Sequence, residues 1–355
     1  MSKRFTRGVR QCREMEHQMV TLAQVARHAG VSPSTVSYVI SGKRSISQET
    51  RLRVERSIAE LGYHPHAGAR ALASNRSNVI ALMIPLRTDM FVPVMMEIAI
   101  AITTTARRYG HDVLLLTSEE GPSAVKRIAA SGLADAVILM DVELEDERIP
   151  LLRQTGAAAA LIGLPADPSG LTCVDLDFEA TGALAADHLA DLGHREVALI
   201  GAAESVYRRH TGFAERTLAG FRQQAAARGL SHLHRPCGAG HEAASGTISR
   251  ILQERPHTTG FVVQNEAALP HLLGQLRQSG RAVPEDVSVV AICPDEVALH
   301  SAPQLTSVSI PAQEMGRRAV ELLMAQAGGE DTSGLTLLRP TLTMRESSGP
   351  AAAAP

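Results

Sequence analysis

Val20-Thr-Leu-Ala-Gln-Val-Ala-Arg-His-Ala-Gly-Val-Ser-Pro-Ser-Thr-Val-Ser-Tyr-Val-Ile-Ser-Gly42 decides how this chain is read. Thr21 stands three residues before Gln24, the hydroxyl–amide spacing of a capping box. A helix is therefore predicted from Leu22 to about Ala29, with Gly30 as its stop. Ser32-Pro33 opens a second helix, with Ser as N-cap and Pro at the first helical position, where a missing N–H costs nothing. Val36, Val39 and Ile40 share one face of it. Ser47 caps a third, which places Val54, Ile58 and Leu61 at i, i+4 and i+7 and stops at Gly62. Two short helices around a glycine turn, braced by a third, make a helix-turn-helix unit.

The exposed chemistry of the second helix suits DNA. A recognition helix needs small or hydrogen-bonding side chains where it enters the major groove. Pro33, Ser34 and Tyr38 would face bases, and Thr21, Ser32, Thr35 and Ser37 would face phosphates. An ordinary Ser/Thr-rich helical hairpin has a similar composition, but charge favours the DNA reading. Residues 1–78 hold 13 Lys and Arg against 5 acids, whereas the rest holds 22 against 32, so the net charge of −2 conceals a basic head on an acidic body.

Residues 64–77 connect the two parts. Ala69–Ala73 favour helix and Gly68 weakens it, so a helix is expected only when something holds it. Residues 1–19 show no clean period and are expected to be a disordered leader, or to precede a true start at Met15 or Met19.

From Val79 onward, short apolar runs alternate with amphipathic helices. Strands are predicted at Val79–Ile84, Asp112–Leu116, Ala136–Met140, Ala158–Ile162, Thr172–Leu176, Val197–Ile200, Gly260–Val263 and Val287–Ile292. Helices are predicted at 91–109, 122–131, 147–155, 178–192, 212–228, 242–254, 266–279 and 311–327. This alternation implies α/β architecture, and some eight strands suit two doubly wound parallel-sheet subdomains better than one sheet. A ligand would then bind in the crevice at the carboxyl ends of the strands.

Other classes lose support. No apolar run approaches the ~18 residues of a membrane span, and no signal peptide opens the chain, so a cytoplasmic location is expected. The four cysteines lie far apart with no CxxC pair, which argues against a disulfide framework or zinc ribbon. GxSxG, GxxxxGK[ST], GxGxxG and HExxH are all missing. His232-Leu-His-Arg-Pro-Cys237 is the only His/Cys cluster, with no fourth ligand nearby, and reads as a surface loop. No cofactor or metal is implied.

The opening stretch, followed by Thr50-Arg51 and Ala59-Glu-Leu-Gly-Tyr63-His-Pro65, resembles the headpiece of the lactose/galactose repressor (LacI/GalR) family. The resemblance continues through Ala69-Arg-Ala-Leu-Ala73, Ile80-Ala-Leu-Met-Ile84, Asp187–Arg195, Gly220-Phe221, Val283–Val289, Leu305–Val308 and Glu314–Arg317, spanning about residues 20–346. It implies a homodimer that reads a roughly palindromic operator in double-stranded DNA and is controlled by a small effector, with a carbohydrate expected. It also implies that the linker folds on DNA as a hinge helix and inserts Leu72, with Arg70 beside it, into the minor groove. Tyr38 stands where family members often carry Arg.

The body resembles the periplasmic sugar-binding-protein fold. Matching positions place Asp89, Met90, Phe91, Asp177, Arg216, Thr217, His241, Asn265, Cys293 and Asp295 at the effector site. Asn265-Glu266 stands where Asn-Asp is usual, Thr217 occupies the family's ligand-arginine position with Arg216 one earlier, and Cys293 replaces an expected aspartate. Phe91, Phe178, Tyr207, Phe213 and His241 are the stacking supply. Caps or salt bridges are the bland alternative for each polar position.

The resulting division is 1–19 leader, 20–63 DNA-binding domain, 64–77 hinge helix or linker, 78–346 effector-binding and dimerisation domain, and 347–355 tail. The two subdomains are expected at about 78–176 with 305–330 and about 177–304 with 331–346. The expected function is a non-enzymatic, dimeric repressor of transcription with an allosteric effector site. A sugar-handling α/β enzyme carrying a DNA-binding head is the alternative, and a reactive constellation in the crevice would distinguish it.

Overall fold

The computed structural model describes residues 20–41, 44–63, 76–87, 92–117 and 121–352. Two compact units divide the chain, Met1–Ser77 and Asn78–Pro355. The expected leader and hinge helix lie outside the described residues.

The first unit contains α1 (Leu22–Ala29), α2 (Pro33–Ser41) and α3 (Gln48–Leu61). Thr21 accepts from the Gln24 backbone while the Gln24 side chain takes the Thr21 N–H at 2.7 Å, completing the capping box. Gly30 ends α1 at φ 64°, in the left-handed region open to glycine. Val25, Ala26, Ala29, Val36, Val54 and Tyr63 form the core, with Val39, Ile40, Ile58 and Leu61 packed around it. This is the apolar pattern predicted for the three helices.

The second unit holds two six-stranded sheets. The first contains β1 (Val79–Met83), β2 (Asp112–Leu116), β3 (Ala136–Leu139), β4 (Ala158–Ile162), β5 (Thr172–Leu176) and β11 (Gly334–Leu338), in the order β11-β5-β4-β3-β1-β2. The second contains β6 (Glu196–Gly201), β7 (Ser231–Pro236), β8 (Gly260–Val263), β9 (Ser288–Cys293), β10 (Thr306–Ser309) and β12 (Leu342–Thr343), in the order β12-β10-β9-β8-β6-β7. All pairs are parallel except β10 with β12. In each sheet the strand order reverses at one strand, β1 in the first and β6 in the second, and there the crossover helices leave a crevice.

Helices cover both faces of each sheet. On the first lie α4 (Val92–Arg108), α5 (Pro122–Ser131), α6 (Arg148–Thr155) and, later in the chain, α13 (Ala312–Ala327). On the second lie α7 (Phe178–Asp191), α9 (Gly212–Ala227), α10 (His241–Glu254) and α11 (Leu269–Gln278), with short α8 (Glu204–Arg208) and α12 (Asp295–Leu299) between. Two sequence motifs gain a packing reason. A Cβ on Gly220 would lie 1.9 Å from the Glu179 carbonyl oxygen, so glycine is what lets α9 close on α7 while Phe221 fills the core. Gly316 does the same for α13 against α4, with Ile98 O 2.8 Å from an added Cβ.

Three expectations are corrected. Residues 231–236 form the edge strand β7 rather than a surface loop, and Cys237 is buried beyond it. The late crossings fall later than expected, after β10 and after β11: β10 still extends the second sheet and β11 joins the first, so the boundaries expected at 305 and 331 shift, while α13 and β12 lie on the expected halves. Polar Thr306 and Ser307 hid β10. They are fully buried because Arg345 donates its N–H to Thr306 Oγ1 at 2.9 Å and Nη1 to Ser307 Oγ at 2.7 Å. The tail expected from 347 is structural through Ala351. Ser347 Oγ donates to Val289 O at 2.6 Å, and Ala351 N to Leu192 O at 2.8 Å. Among the described residues, no helix is long and apolar enough to cross a membrane.

Candidate nucleic-acid interface and ligand cleft

In the first unit, Ser32 Oγ accepts from the Thr35 N–H at 3.1 Å and hydrogen-bonds Thr35 Oγ1 at 2.9 Å, which fixes the start of α2. Pro33 and Ser34 are exposed just beyond that cap, and Ser37 and Tyr38 are half-buried on the next turn. Thr21 is exposed at the start of α1. The free N–H groups of a helix start favour anions, so two capped helix starts, with exposed Arg27, Arg51, Arg53 and Arg56, suit a phosphate backbone. The Arg44 guanidinium lies 5.8 Å from the centre of the Tyr38 ring. Cation–π attraction thus places a positive charge beside the Tyr38 ring. Arg70 and Leu72 lie outside the described residues.

In the second unit, a cleft opens where the carboxyl ends of the two sheets converge. Met140-Asp-Val142 after β3, Ile162-Gly163 from β4, and Asp175 of β5 form the wall from the first sheet. Ala202-Ala203 after β6, Gln264-Asn-Glu266 after β8, and Ile292 form the wall from the second. Phe178 and Phe213 tilt against each other inside it, their ring centres 5.7 Å apart. The empty volume is about 1010 Å³ with the open mouth included. Its lining is apolar apart from three carboxylates, two amides and backbone groups.

Those carboxylates have different surroundings. Asp141 pairs with Arg87. Buried Arg148 grips Asp146 through two hydrogen bonds of 2.8 and 2.6 Å and donates to the Asp141 carbonyl at 2.9 Å, which sets the loop after β3. Asp175 is 2% exposed; its Oδ1 takes the Leu176 N–H at 3.0 Å and its Oδ2 has no hydrogen-bond partner among the described residues. Burial pushes its carboxyl up to about 7. Burial also pushes Glu266 up to about 8. Asn265 is held by the protein, its amide donating to Cys237 O at 2.6 Å and accepting from Ala267 N at 3.2 Å. Tyr207 Oη donates to Gln264 Oε1 at 3.3 Å and orients that amide from behind.

Of the residues expected at the effector site, the structure brings Asn265 to the cleft lining and sends six others elsewhere. Asp177 caps α7, its Oδ1 accepting from Ala180 N at 2.9 Å. Arg216 donates to Leu164 O at 2.6 Å and Pro165 O at 3.1 Å, carbonyls of the first half. Thr217 is fully buried in α9 and donates to Phe213 O at 2.8 Å. His241 stands at the start of α10 against His271, with Nδ1 atoms 3.2 Å apart. Asp295 pairs with Arg345 at 2.9 Å and accepts from Ser309 Oγ at 3.2 Å. Cys293 is buried at the end of β9, and burial pushes its thiol up to about 12, with the Glu266 charge adding to it. Asp89, Met90 and Phe91 lie outside the described residues.

Sequence reasoning did not select Asp141, Asp175 or Gln264, and named Glu266 only as a neighbour of Asn265. A signal for Asp175 was present, an ionisable residue inside an apolar predicted strand. The others follow the rule that residues just past parallel strands face the crevice. Among the described lining residues there is no Ser, Thr, Cys, His or Lys to form a nucleophile–base pair.

Both units resemble parts of known proteins. Residues 21–66 match the model of bacterial regulatory proteins of the lacI family, and residues 186–348 match a periplasmic binding protein-like domain. The chain is 30% identical over 338 residues to the transcriptional regulator CelR of Thermobifida fusca, covering 93% of this chain and 98% of that one. It is 28% identical to the transcriptional repressor PurR of Aliivibrio fischeri, covering 88% and 93%. The structure of a Lac repressor dimer bound to operator and an anti-inducer superposes with a TM-score of 0.82 at 25% identity, covering 94% of this chain and 100% of that one. A CelR–cellobiose complex superposes with a TM-score of 0.67 at 27% identity, covering 92% and 99%.

Proposed function

The chain belongs to the lacI family of bacterial regulatory proteins and is a DNA-binding transcriptional regulator, and on that premise we propose that it is a dimeric repressor whose grip on a roughly palindromic operator is set by a small molecule held in the cleft. The observation that carries this reading is the pairing, in one chain, of an exposed capped helix with a cleft between the two sheets containing a buried carboxylate, Asp175, whose Oδ2 has no hydrogen-bond partner among the described residues. The similar Lac repressor and CelR structures hold operator or small molecules, which supports the same use here. A carbohydrate is the class of effector we infer, with Asn265 and Gln264 as fixed amides for hydroxyls and the Phe178–Phe213 pair as the flat apolar surface.

The mechanism we infer is a population shift between two arrangements of the body halves. Hydrogen bonds already cross between them beside the cleft: Leu144 N to His210 O and Gly212 N to Val142 O, both 2.9 Å, and the two donated by Arg216. The linker enters the first half at β1, so movement of that half moves the linker's end. Arg70 and Leu72 would make the minor-groove contacts from a hinge segment. An effector shifts operator affinity only by its difference in affinity for the two arrangements, and a coupling of ~1–3 kcal/mol gives roughly 5–150-fold.

Selection of bound duplexes from a random pool, with and without a mixture of sugars, tests the proposal. A palindromic consensus whose recovery changes with sugar is expected. Absence of any consensus defeats the DNA reading, and a consensus indifferent to every small molecule defeats the allosteric one.

A further inference from the structure

Two of the three acids lining the cleft have no paired cation among the described residues. Its described lining holds Asp141, Asp175 and Glu266 but no Lys, Arg or His. Asp141 is satisfied by Arg87. Arg216 is near enough to pull on Asp175 electrostatically, yet its hydrogen bonds go to Leu164 and Pro165 carbonyls. Asp177, also near Asp175, adds negative charge, and Cys173 shares its strand face. Glu266 faces the Cys293 thiol from β9, which brings no positive charge. Asp175 and Glu266, one on each wall, therefore have no paired cation among the described residues, in a cleft whose other surfaces are mainly apolar.

With a neutral ligand that excluded water, Asp175 and Glu266 would stay protonated and bring no charge to binding, whereas an anionic ligand would meet no cation in the described lining. Only a cationic ligand draws on both acids as charges. We propose that the effector carries a protonated amine on an otherwise uncharged, partly apolar body, with Asp175 Oδ2 receiving the amine. An amino sugar falls in this class. The inference rests on the cleft being the effector site and narrows what that site accepts.

The chemistry predicts proton release on binding. In the empty protein at pH 6.5, burial keeps Asp175 and Glu266 largely protonated, whereas an ammonium selects their ionised forms. Protons should therefore leave when a charged amine binds at pH 6.5; at pH 9 almost none should leave with phenethylamine, which is still largely charged there, and glucosamine, largely uncharged there, should bind less tightly.

The test uses the full chain with matched probes: glucosamine, glucose and glucuronate, and phenethylamine, 2-phenylethanol and 3-phenylpropionate. Thermal stabilisation is measured at pH 6.5 and pH 9, and calorimetry in buffers of different ionisation enthalpy counts protons. Amines should stabilise more than their neutral and anionic partners, with proton release at the lower pH. Asp175→Asn should weaken the binding amine roughly 10- to 100-fold, the loss expected for a charge-assisted hydrogen bond, while moving the neutral partner less than about twofold. Glu266→Gln should reduce proton release if Asp175→Asn fails to fold. Neutral or anionic probes binding as well as the amines would overturn the charge assignment and leave the effector reading standing. If no probe stabilises the protein, both fall.

Discussion

Asp175→Asn in the effector-free protein isolates the energetic cost of building the cleft. The unfolded Asp175 carboxyl loses its proton near the usual 3.8, whereas in the folded protein burial holds it to about 7. Between those values the folded state binds more protons than the unfolded state, so stability falls as pH rises through the window and is flat above it. Each pH unit of the window is worth ~1.4 kcal/mol. The wild type should carry roughly 4 kcal/mol of cost from this group at pH 8 and ~2 kcal/mol at pH 5. Asparagine keeps the shape and the acceptor for Leu176 N–H and does not titrate. The variant's stability relative to wild type should therefore rise by about 2 kcal/mol between pH 5 and pH 8. Urea denaturation of both proteins, followed by far-UV circular dichroism at the two pH values, measures this. An offset that is the same at both values would show that Asp175 is ionised in the folded state throughout, and would refute the claim that the cleft stores an uncompensated acid.

Other perturbations address the remaining parts. Thr21→Ala removes the capping box and should cost about 1 kcal/mol, seen as lower melting of the isolated headpiece transition and weaker operator binding, with ligand binding to the body unchanged. Arg44→Ala removes the charge over Tyr38 and should reduce the salt slope of DNA binding by about 1 and broaden preference at one base pair, read by random-pool selection. Gly220→Ala forces a Cβ to 1.9 Å from Glu179 O, so α7 and α9 must separate. A loss of at least ~1–3 kcal/mol in body stability is expected by thermal unfolding, and an unchanged melting temperature would refute the close-approach account.

Much of the fold was legible because its signals are local. Capping residues at Thr21, Ser32 and Ser47, and the 3.6-residue spacing of Val54, Ile58 and Leu61, depend on near neighbours in sequence. Buried parallel strands such as Val79–Met83 show as continuous apolar runs. The strands that escaped notice are those whose burial depends on distant partners. The hydroxyls of Thr306 and Ser307 are satisfied by residues about forty positions away, and β7 and β11 are edge strands with mixed exposure. The cleft was less legible for the same reason. Position alone does not reveal whether a polar side chain at the end of a strand lines the cleft as well as capping the turn that follows, as Asn265 does, or only caps its own helix, as Asp177 does. That choice is made by local hydrogen-bond competition, in which a carboxylate three residues ahead of a free helix N–H is captured.

The same competition explains why the cleft is acidic. Arg216 is the cation best placed to neutralise it, yet its guanidinium bridges to Leu164 and Pro165, carbonyls that belong to the other half of the body. With Leu144–His210 and Gly212–Val142, these bonds tie the halves together along one side of the cleft. A positive charge that could have satisfied Asp175 instead holds the halves in register. If Arg216 were to swing into the cleft, the bridge would break; while the bridge holds, Asp175 waits for a donor from outside. Binding and the arrangement of the halves therefore draw on the same few groups, which is the physical condition for a ligand to have unequal affinity for two arrangements. A site fully neutralised by its own arginine would bind its ligand with less dependence on how the halves sit, and would transmit less to the linker.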